Sequence, residues 1–373
     1  MSASEDFHTA ESTVTPSPRS RCSAVATLPP AVFTLGMSGL AVLVAFLAAG
    51  LLLWGYGINP WRFYALMVQS TLGDSRGWAE VARKATPLML IGVGLVVAFR
   101  AQFWNIGAEG QLLAGAVAAT GVALFVPLRA PALLLAMFLA GSSAGALWGA
   151  LPALLKLRLQ VNEVITTLMM NYLALHLVQW LIHGPWKGQS ALGFAYTDTL
   201  PFKAWLPLLP GTRVHWPTLL LGLLLAILAA FLLFRLRLGY EIRVLGQSPA
   251  AARYAGIDVP RVTLWVVLCS GGAAGLAGVG EVAGIHHKLL DPTQVSLGYG
   301  YTAIIVAWLA RGQPLMVIPT ALFMGGIFAS GDTLKVTLQV PFQVVEVMNG
   351  LILLCLVGSE RLVQAHWQPR EAS

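Results

Sequence analysis

The 373 residues are 57% hydrophobic and only 10% charged, with a formal net charge of +7. A soluble domain carries roughly 25% charged residues and cannot hide this much apolar surface in one core, so an ordinary soluble fold is excluded. The basic residues sit in short segments between apolar runs. That pattern suits topology signals and contact with anionic lipid headgroups, with no call for nucleic acid.

Residues 1–30 are polar and rich in Ser, Thr and Pro, and read as a mobile N-terminal tail. The apolar run behind them is longer than a signal peptide's roughly 7–15-residue core and lies far from Met1, so an uncleaved first helix is expected. Stretches free of Asp, Glu, Lys and Arg run 22–61, 110–128, 130–155, 164–186, 214–234, 262–280, 292–310 and 312–331, with shorter ones at 85–99 and 347–358. Several reach the roughly 20 residues that span hydrocarbon as a helix. Helices are therefore predicted near 33–56, 85–100, 110–128, 130–155, 163–183, 215–234, 262–281, 294–310, 312–331 and 343–358. The expected fold is an all-α integral membrane protein, a polytopic bundle of about ten transmembrane helices with one or more of them broken. The transmembrane domain covers 31–360, and 361–373 form a C-terminal tail.

The segment 61–84 mixes apolar residues with Arg62, Asp74, Arg76, Glu80, Arg83 and Lys84, as an amphipathic helix on the membrane surface would. The run 85–99 is short: at 1.5 Å per residue it reaches roughly 22 Å, less than a ~30 Å hydrocarbon core. Either Arg100 snorkels to lengthen it, or the helix breaks inside the protein near Phe103-Trp104-Asn105-Ile106-Gly107. Non-helical backbone at that depth is tolerated when it is buried in protein or lines a wet cavity. Transporters use such breaks to point helix ends at solutes.

Small residues crowd 140–145 and 270–275, followed by Gly278 and Gly280, and predict close helix packing. Trp54, Trp61, Trp180, Trp186, Trp216 and Trp308 fall near predicted helix ends, as in an interfacial belt. Cys22, Cys269 and Cys355 show no metal or redox spacing and read as small packing residues. His286 and His287, between Glu281 and Asp291, are adjacent and point apart, so a water-facing loop or helix end is expected instead of a metal site.

No G-x-x-x-x-G-K-[ST], H-E-x-x-H or G-x-S-x-G string occurs, so the chain lacks the usual ATP-phosphate cradle and shows no catalytic constellation. Polar groups at membrane depth are the informative residues, because an ionised one costs about 2.5–3.5 kcal/mol at a helix centre. Glu109 follows the expected break. Glu163, Thr167 and Asn171 recur every four residues on one helix face, which suits a hydrophilic path or an interhelical contact equally. Glu346 and Asn349 share a face of the last span, where interhelical hydrogen bonding near the surface is expected. Between 235 and 261 lies the longest predicted cytoplasmic loop, dense in arginine. Within it Ser248 can cap a short helix with Pro249 at its first position, ending at Gly256. So short a helix gains little stability alone and makes better sense docked on a soluble partner.

At these residues the sequence resembles the permease subunits of bacterial ABC importers, in the branch that groups simple-sugar and nucleoside permeases, closest to the nucleoside type. The strings that carry the resemblance are Asn105 to Gln111, Val161 to Tyr172, Gly239 to Ile257, Gly298 to Tyr301 and Ala307 to Pro314. They run in the family's order from about 85 to 358. Gln247 stands where Asn is frequent, and Ala310 where Gly often precedes Arg. The resemblance implies a solute path formed or supported by Asn105, Glu109, Gln111, Asn162, Glu163, Thr167 and Asn171. It implies an ATPase-coupling loop with Gly239, Arg243, Gly246, Ala251, Ala252 and Gly256. It also implies partners: two ABC ATPases that use the ATP, a second homologous or identical permease, and an extracytoplasmic solute-binding protein. No cofactor and no metal is expected on this chain, which would sit as a multi-pass protein in the inner membrane. A nucleoside suits the polar groups, with Trp104 or Tyr301 available for the base, and a ribose-like sugar suits the same groups. An ion-coupled secondary transporter using Glu163 or Glu109 is the remaining alternative.

Overall fold

A computed structural model describes residues 30–189, 193–339 and 343–367. The N-terminal tail predicted at 1–30, and Cys22 with it, lies outside the described residues but for Pro30. The described chain runs α1 (Pro30–Gly55), α2 (Pro60–Leu72), α3 (Ser75–Arg100), α4 (Ala108–Phe125), α5 (Ala132–Leu159), α6 (Glu163–His183), α7 (Trp216–Arg235), α8 (Arg237–Gln247), α9 (Pro249–Tyr254), α10 (Val259–Glu281), α11 (Pro292–Ser296), α12 (Tyr299–Leu309), α13 (Val317–Thr337) and α14 (Gln343–Trp367). Seven helices are long and apolar enough to cross a membrane. With α1, α14 and the broken pair α11–α12, the passes number about ten among the described residues.

Three expected helix spans need correction. The short run 85–99 belongs to a 26-residue helix, because α3 begins at Ser75 and takes in the charged turn. A scan for charge-free stretches stops at Lys84, yet Arg83 and Lys84 are both buried. Arg83 pairs with Glu80 one turn back, and Lys84 Nζ meets Asp332 Oδ2 of α13 at 3.0 Å. Charge is admitted where a partner meets it. The surface helix expected over 61–84 is accordingly only α2, and Gly73 and Asp74 turn the chain into α3. Asp74 caps that helix, its Oδ1 accepting from Gly77 N at 2.6 Å.

The second correction concerns 294–310, which is not one helix. Leu297 and Gly298 adopt positive φ and divide it into α11 and α12. At 11 residues α12 rises only about 16 Å, half a bilayer core. Third, the last helix, expected over 343–358, continues as α14 to Trp367, and residues 368–373 lie outside the described residues.

The centre of the bundle is α3, with 94% of its apolar window buried. Around it the small-residue runs do what packing requires. A Cβ added at Gly145 would strike the Gly271 carbonyl, and one at Gly275 the Gly141 carbonyl, so α5 and α10 touch backbone to backbone. Gly278 meets the Leu112 carbonyl of α4 in the same way. Of the predicted tryptophan belt, Trp54, Trp61, Trp180 and Trp216 are exposed, while Trp186 and Trp308 pack inward, Trp186 on Phe125 and Trp308 on Trp104. Cys269 lies on the outer face of α10, not in a packing position.

Nor do the two histidines face water. The end of α10 widens into a π-turn over Val282–His286. His287 follows at φ +53 and stacks on Trp205 with ring centroids 3.8 Å apart. His286 Nε2 lies 3.8 Å from Glu281 Oε2, and both atoms are buried. No cluster of metal-ligating side chains occurs among the described residues.

Candidate solute cavity and coupling face

After Arg100 the α-helix stops and residues 101–107 run as turn and extended chain, so the break expected at 103–107 is present. Its polar groups are all used. Asn105 Nδ2 donates to Gln111 Oε1 at 2.9 Å and to Ser270 Oγ of α10 at 3.0 Å. Asn105 Oδ1 accepts from Gln111 Nε2 and from Gly107 N, both at 3.0 Å. The two carboxamides thus clasp each other inside the protein. Both are fully buried, and neither is among the residues lining the candidate solute cavity. Their place in the structure is to satisfy the backbone where α4 starts, as buried polar groups must be.

Helix α6 supplies the next ring. Thr167 Oγ1 accepts from Ile106 N at 3.2 Å. Asn171 Oδ1 accepts from Gly110 N at 2.8 Å, while its Nδ2 donates to Ile106 O at 2.9 Å and to the Tyr301 hydroxyl at 3.2 Å. Asn171 therefore joins the start of α4 to α12. The i, i+4 spacing correctly places Thr167 and Asn171 on one face, and Glu163 leaves it. Glu163 pairs with Lys156 of α5 at the mouth of the helix, and Asn162 caps α6 by accepting from Val164 N at 2.9 Å.

Glu109 occupies the junction of two helix starts. It stands in the first turn of α4, and its Oε2 accepts from the amide of Gly300, in the first turn of α12, at 2.8 Å. The Ser296 hydroxyl and the amides of Gly298 and Tyr301 stand around this carboxylate. A Cβ at Gly300 would collide with the Glu109 backbone. Two positive helix ends directed at one spot repel, and an anion between them offsets that repulsion.

Beside this junction opens a cavity of about 640 Å³. Its walls include Glu109, Asn171, Tyr301 and Phe328, together with Glu346 and Asn349 of α14. Of the seven residues expected along a path, Glu109 and Asn171 reach it, Asn105, Gln111 and Thr167 hold the break behind it, and Asn162 and Glu163 stand apart. Of the two aromatic rings, Tyr301 lines the cavity. Trp104 instead packs between Phe99 and Trp308, with centroids at 5.3 and 5.6 Å.

The loop 235–261 is more helical than expected: α8 precedes the predicted helix α9. Ser248 caps α9 through Ala251 N at 3.2 Å with Pro249 behind it, and Gly256 follows at φ +73. Gly239 abuts the Leu232 and Leu233 backbone, and Gly246 abuts the Arg100 carbonyl. Arg243 lies 6.0 Å over the Phe234 ring. Ala252 is buried, Ala251 is exposed, and Tyr254 is 97% exposed. The glycines and Arg243 thus fasten the loop to α3 and α7, while the tip of α9 projects.

Over residues 77–357 the sequence matches the family described as the permease component of branched-chain amino acid transport systems. The chain belongs to this permease family. It is similar to the glucose ABC transporter permease TsgB13 of Haloferax volcanii, 36% identical over 341 residues and 89% of each chain. The guanosine ABC transporter permease NupP of Bacillus subtilis is 30% identical over 326 residues, 86% of this permease and 92% of that protein. The nucleoside ABC transporter permease NupB of Lactococcus lactis is 29% identical over 328 residues, 84% and 88% of the two chains. This permease is thus a multi-pass membrane protein whose relatives include sugar and nucleoside ABC transporter permeases.

Proposed function

We propose that this permease forms the path for a nucleoside in an importer powered by separate ATPase subunits. The observation that carries the reading is the 640 Å³ cavity beside a broken helix, where carboxylate, carboxamide and phenol groups stand with the Phe328 ring. Such groups bond ribose hydroxyls, and the exposed Tyr301 ring offers a face to a base. The guanosine and nucleoside permeases among the relatives support this choice. A simple sugar is the second reading, favoured by the 36% identity to the Haloferax glucose permease.

The projecting tip of α9 is the contact for an ABC ATPase, which binds and hydrolyses the ATP, since this chain carries no phosphate-binding string. A second homologous or identical permease and an extracytoplasmic solute-binding protein complete the importer, and the chain itself needs no cofactor. The test is a ligand screen of nucleosides, pentoses and hexoses on the binding protein encoded beside this chain, followed by ATP-dependent uptake in proteoliposomes. Nucleoside binding and uptake support the first reading. Binding of a sugar and no nucleoside replaces it with the second.

A further inference from the structure

The cavity has a second wall, on α14. Glu346, Asn349, Gly350 and Leu353 all line it, and their spacing of i, i+3, i+4 and i+7 makes them one helix face. Asn349 is only 6% exposed, and its Oδ1 has no hydrogen-bond partner. A buried carboxamide normally finds one. The contrast with the opposite wall is direct. There Asn171 is tied to Gly110, Ile106 and Tyr301, and Glu109 is tied to the first turn of α12. The buried carboxamide with an acceptor to spare is therefore Asn349. Among the described residues, those lining the cavity include two carboxylates, Glu109 and Glu346, and no Lys, Arg or His. A phosphate ester or carboxylate entering it would meet negative charge with no basic side chain to offset it.

Taking the permease reading above as its base, we propose that Asn349 recognises the solute, accepting a hydrogen bond from a hydroxyl of an uncharged polyhydroxyl molecule, with Glu346 beside it disfavouring anions. A site built to bond a hydroxyl rejects the analogue that lacks it, because its own polar group is then stranded.

The test uses the complete importer in proteoliposomes, with guanosine, 2′-deoxyguanosine and 3′-deoxyguanosine as probes, and glucose and 2-deoxyglucose as the hexose arm. The same binding protein serves every variant, so its own selectivity cancels in the ratios. Asn349→Ala is expected to raise KM for the parent solute about tenfold with kcat little changed. It is also expected to bring the parent-to-deoxy ratio for one hydroxyl close to one. Asn349→Asp keeps the acceptor and is expected to restore that ratio, as a merely structural residue would not. Should Asn349→Ala fail to assemble, Asn349→Leu, similar in size to asparagine and without an acceptor, carries the same comparison. Ratios unchanged from wild type for every analogue would overturn the role of Asn349 while leaving the permease reading intact. Wild-type importer that takes up neither guanosine nor glucose would overturn the substrate reading and this proposal with it.

Discussion

Glu109 and Gly300 are 191 positions apart in sequence, and one hydrogen bond of 2.8 Å joins the carboxylate of the first to the amide of the second. That bond holds the start of α12 to the start of α4, at the edge of the solute cavity. Removing the acceptor strands a buried amide, which costs about 1–3 kcal/mol. Glu109→Ala is expected to lower the melting temperature of the purified permease and to abolish uptake. Glu109→Gln keeps an acceptor oxygen and is expected to retain most of the thermal stability. Thermal melts of both variants in one detergent check the difference.

The Asn105–Gln111 clasp predicts strong non-additivity. Either side chain truncated to alanine leaves its partner buried and half-satisfied, a loss of about 1–3 kcal/mol. The double variant Asn105→Ala/Gln111→Ala is expected to be less destabilised than the sum of the singles, because the stranded partner is gone too. A double-mutant cycle on chemical or thermal unfolding measures the coupling. Additive losses would show that the two amides do not act as a pair.

His215 makes stability depend on pH. Burial, aided by the nearby Arg83 guanidinium, pushes its pKa down to about 4, and its ring touches Thr218 Oγ1. The folded protein therefore holds a neutral ring, while the unfolded chain takes up a proton below about 6.5. The resulting stability is fully present above pH 6.5 and is lost as pH falls towards 4, by up to about 3 kcal/mol. Melting temperature measured from pH 7.5 to 4.5 is expected to decline for the wild type and to decline less for His215→Gln.

The projecting α9 tip separates coupling from folding. Tyr254→Ala removes an exposed ring and is expected to leave the melting temperature within error while weakening copurification with the ATPase. Gly246→Trp acts differently, since the new side chain would drive α8 off the end of α3. It is expected to destabilise the permease itself. Comparing melt and copurification for the two variants distinguishes a contact residue from a packing residue.

Most of the fold was legible in the sequence because charge-free length reports spans directly. The exceptions have a common physical cause, charge or conformation settled by a distant partner. Arg83 and Lys84 look like the end of a span until Glu80 and Asp332 meet them. The division of α11 from α12 depends on positive φ at Leu297 as well as at Gly298, and leucine carries no signal for it. The site was legible only in part. Helical spacing placed Thr167 and Asn171 together, but Asn105 and Gln111 meet across non-helical chain, where no period applies. Helical spacing puts Asn349 on one face of α14 with Glu346, yet only the folded structure shows its acceptor unused.

The seam of glycines between α5 and α10 has a mechanical consequence. Two helices in backbone contact interlock, and neither can slide along the other without a carbonyl passing through a Cα. Importing a solute requires some parts of the subunit to turn while another part keeps its shape. Here the keel is α5 and α10, with α4 fitted against them at Gly278. The short rod α12, tied at its first turn to Glu109 and Asn171 and packed along α3, meets that keel at α4.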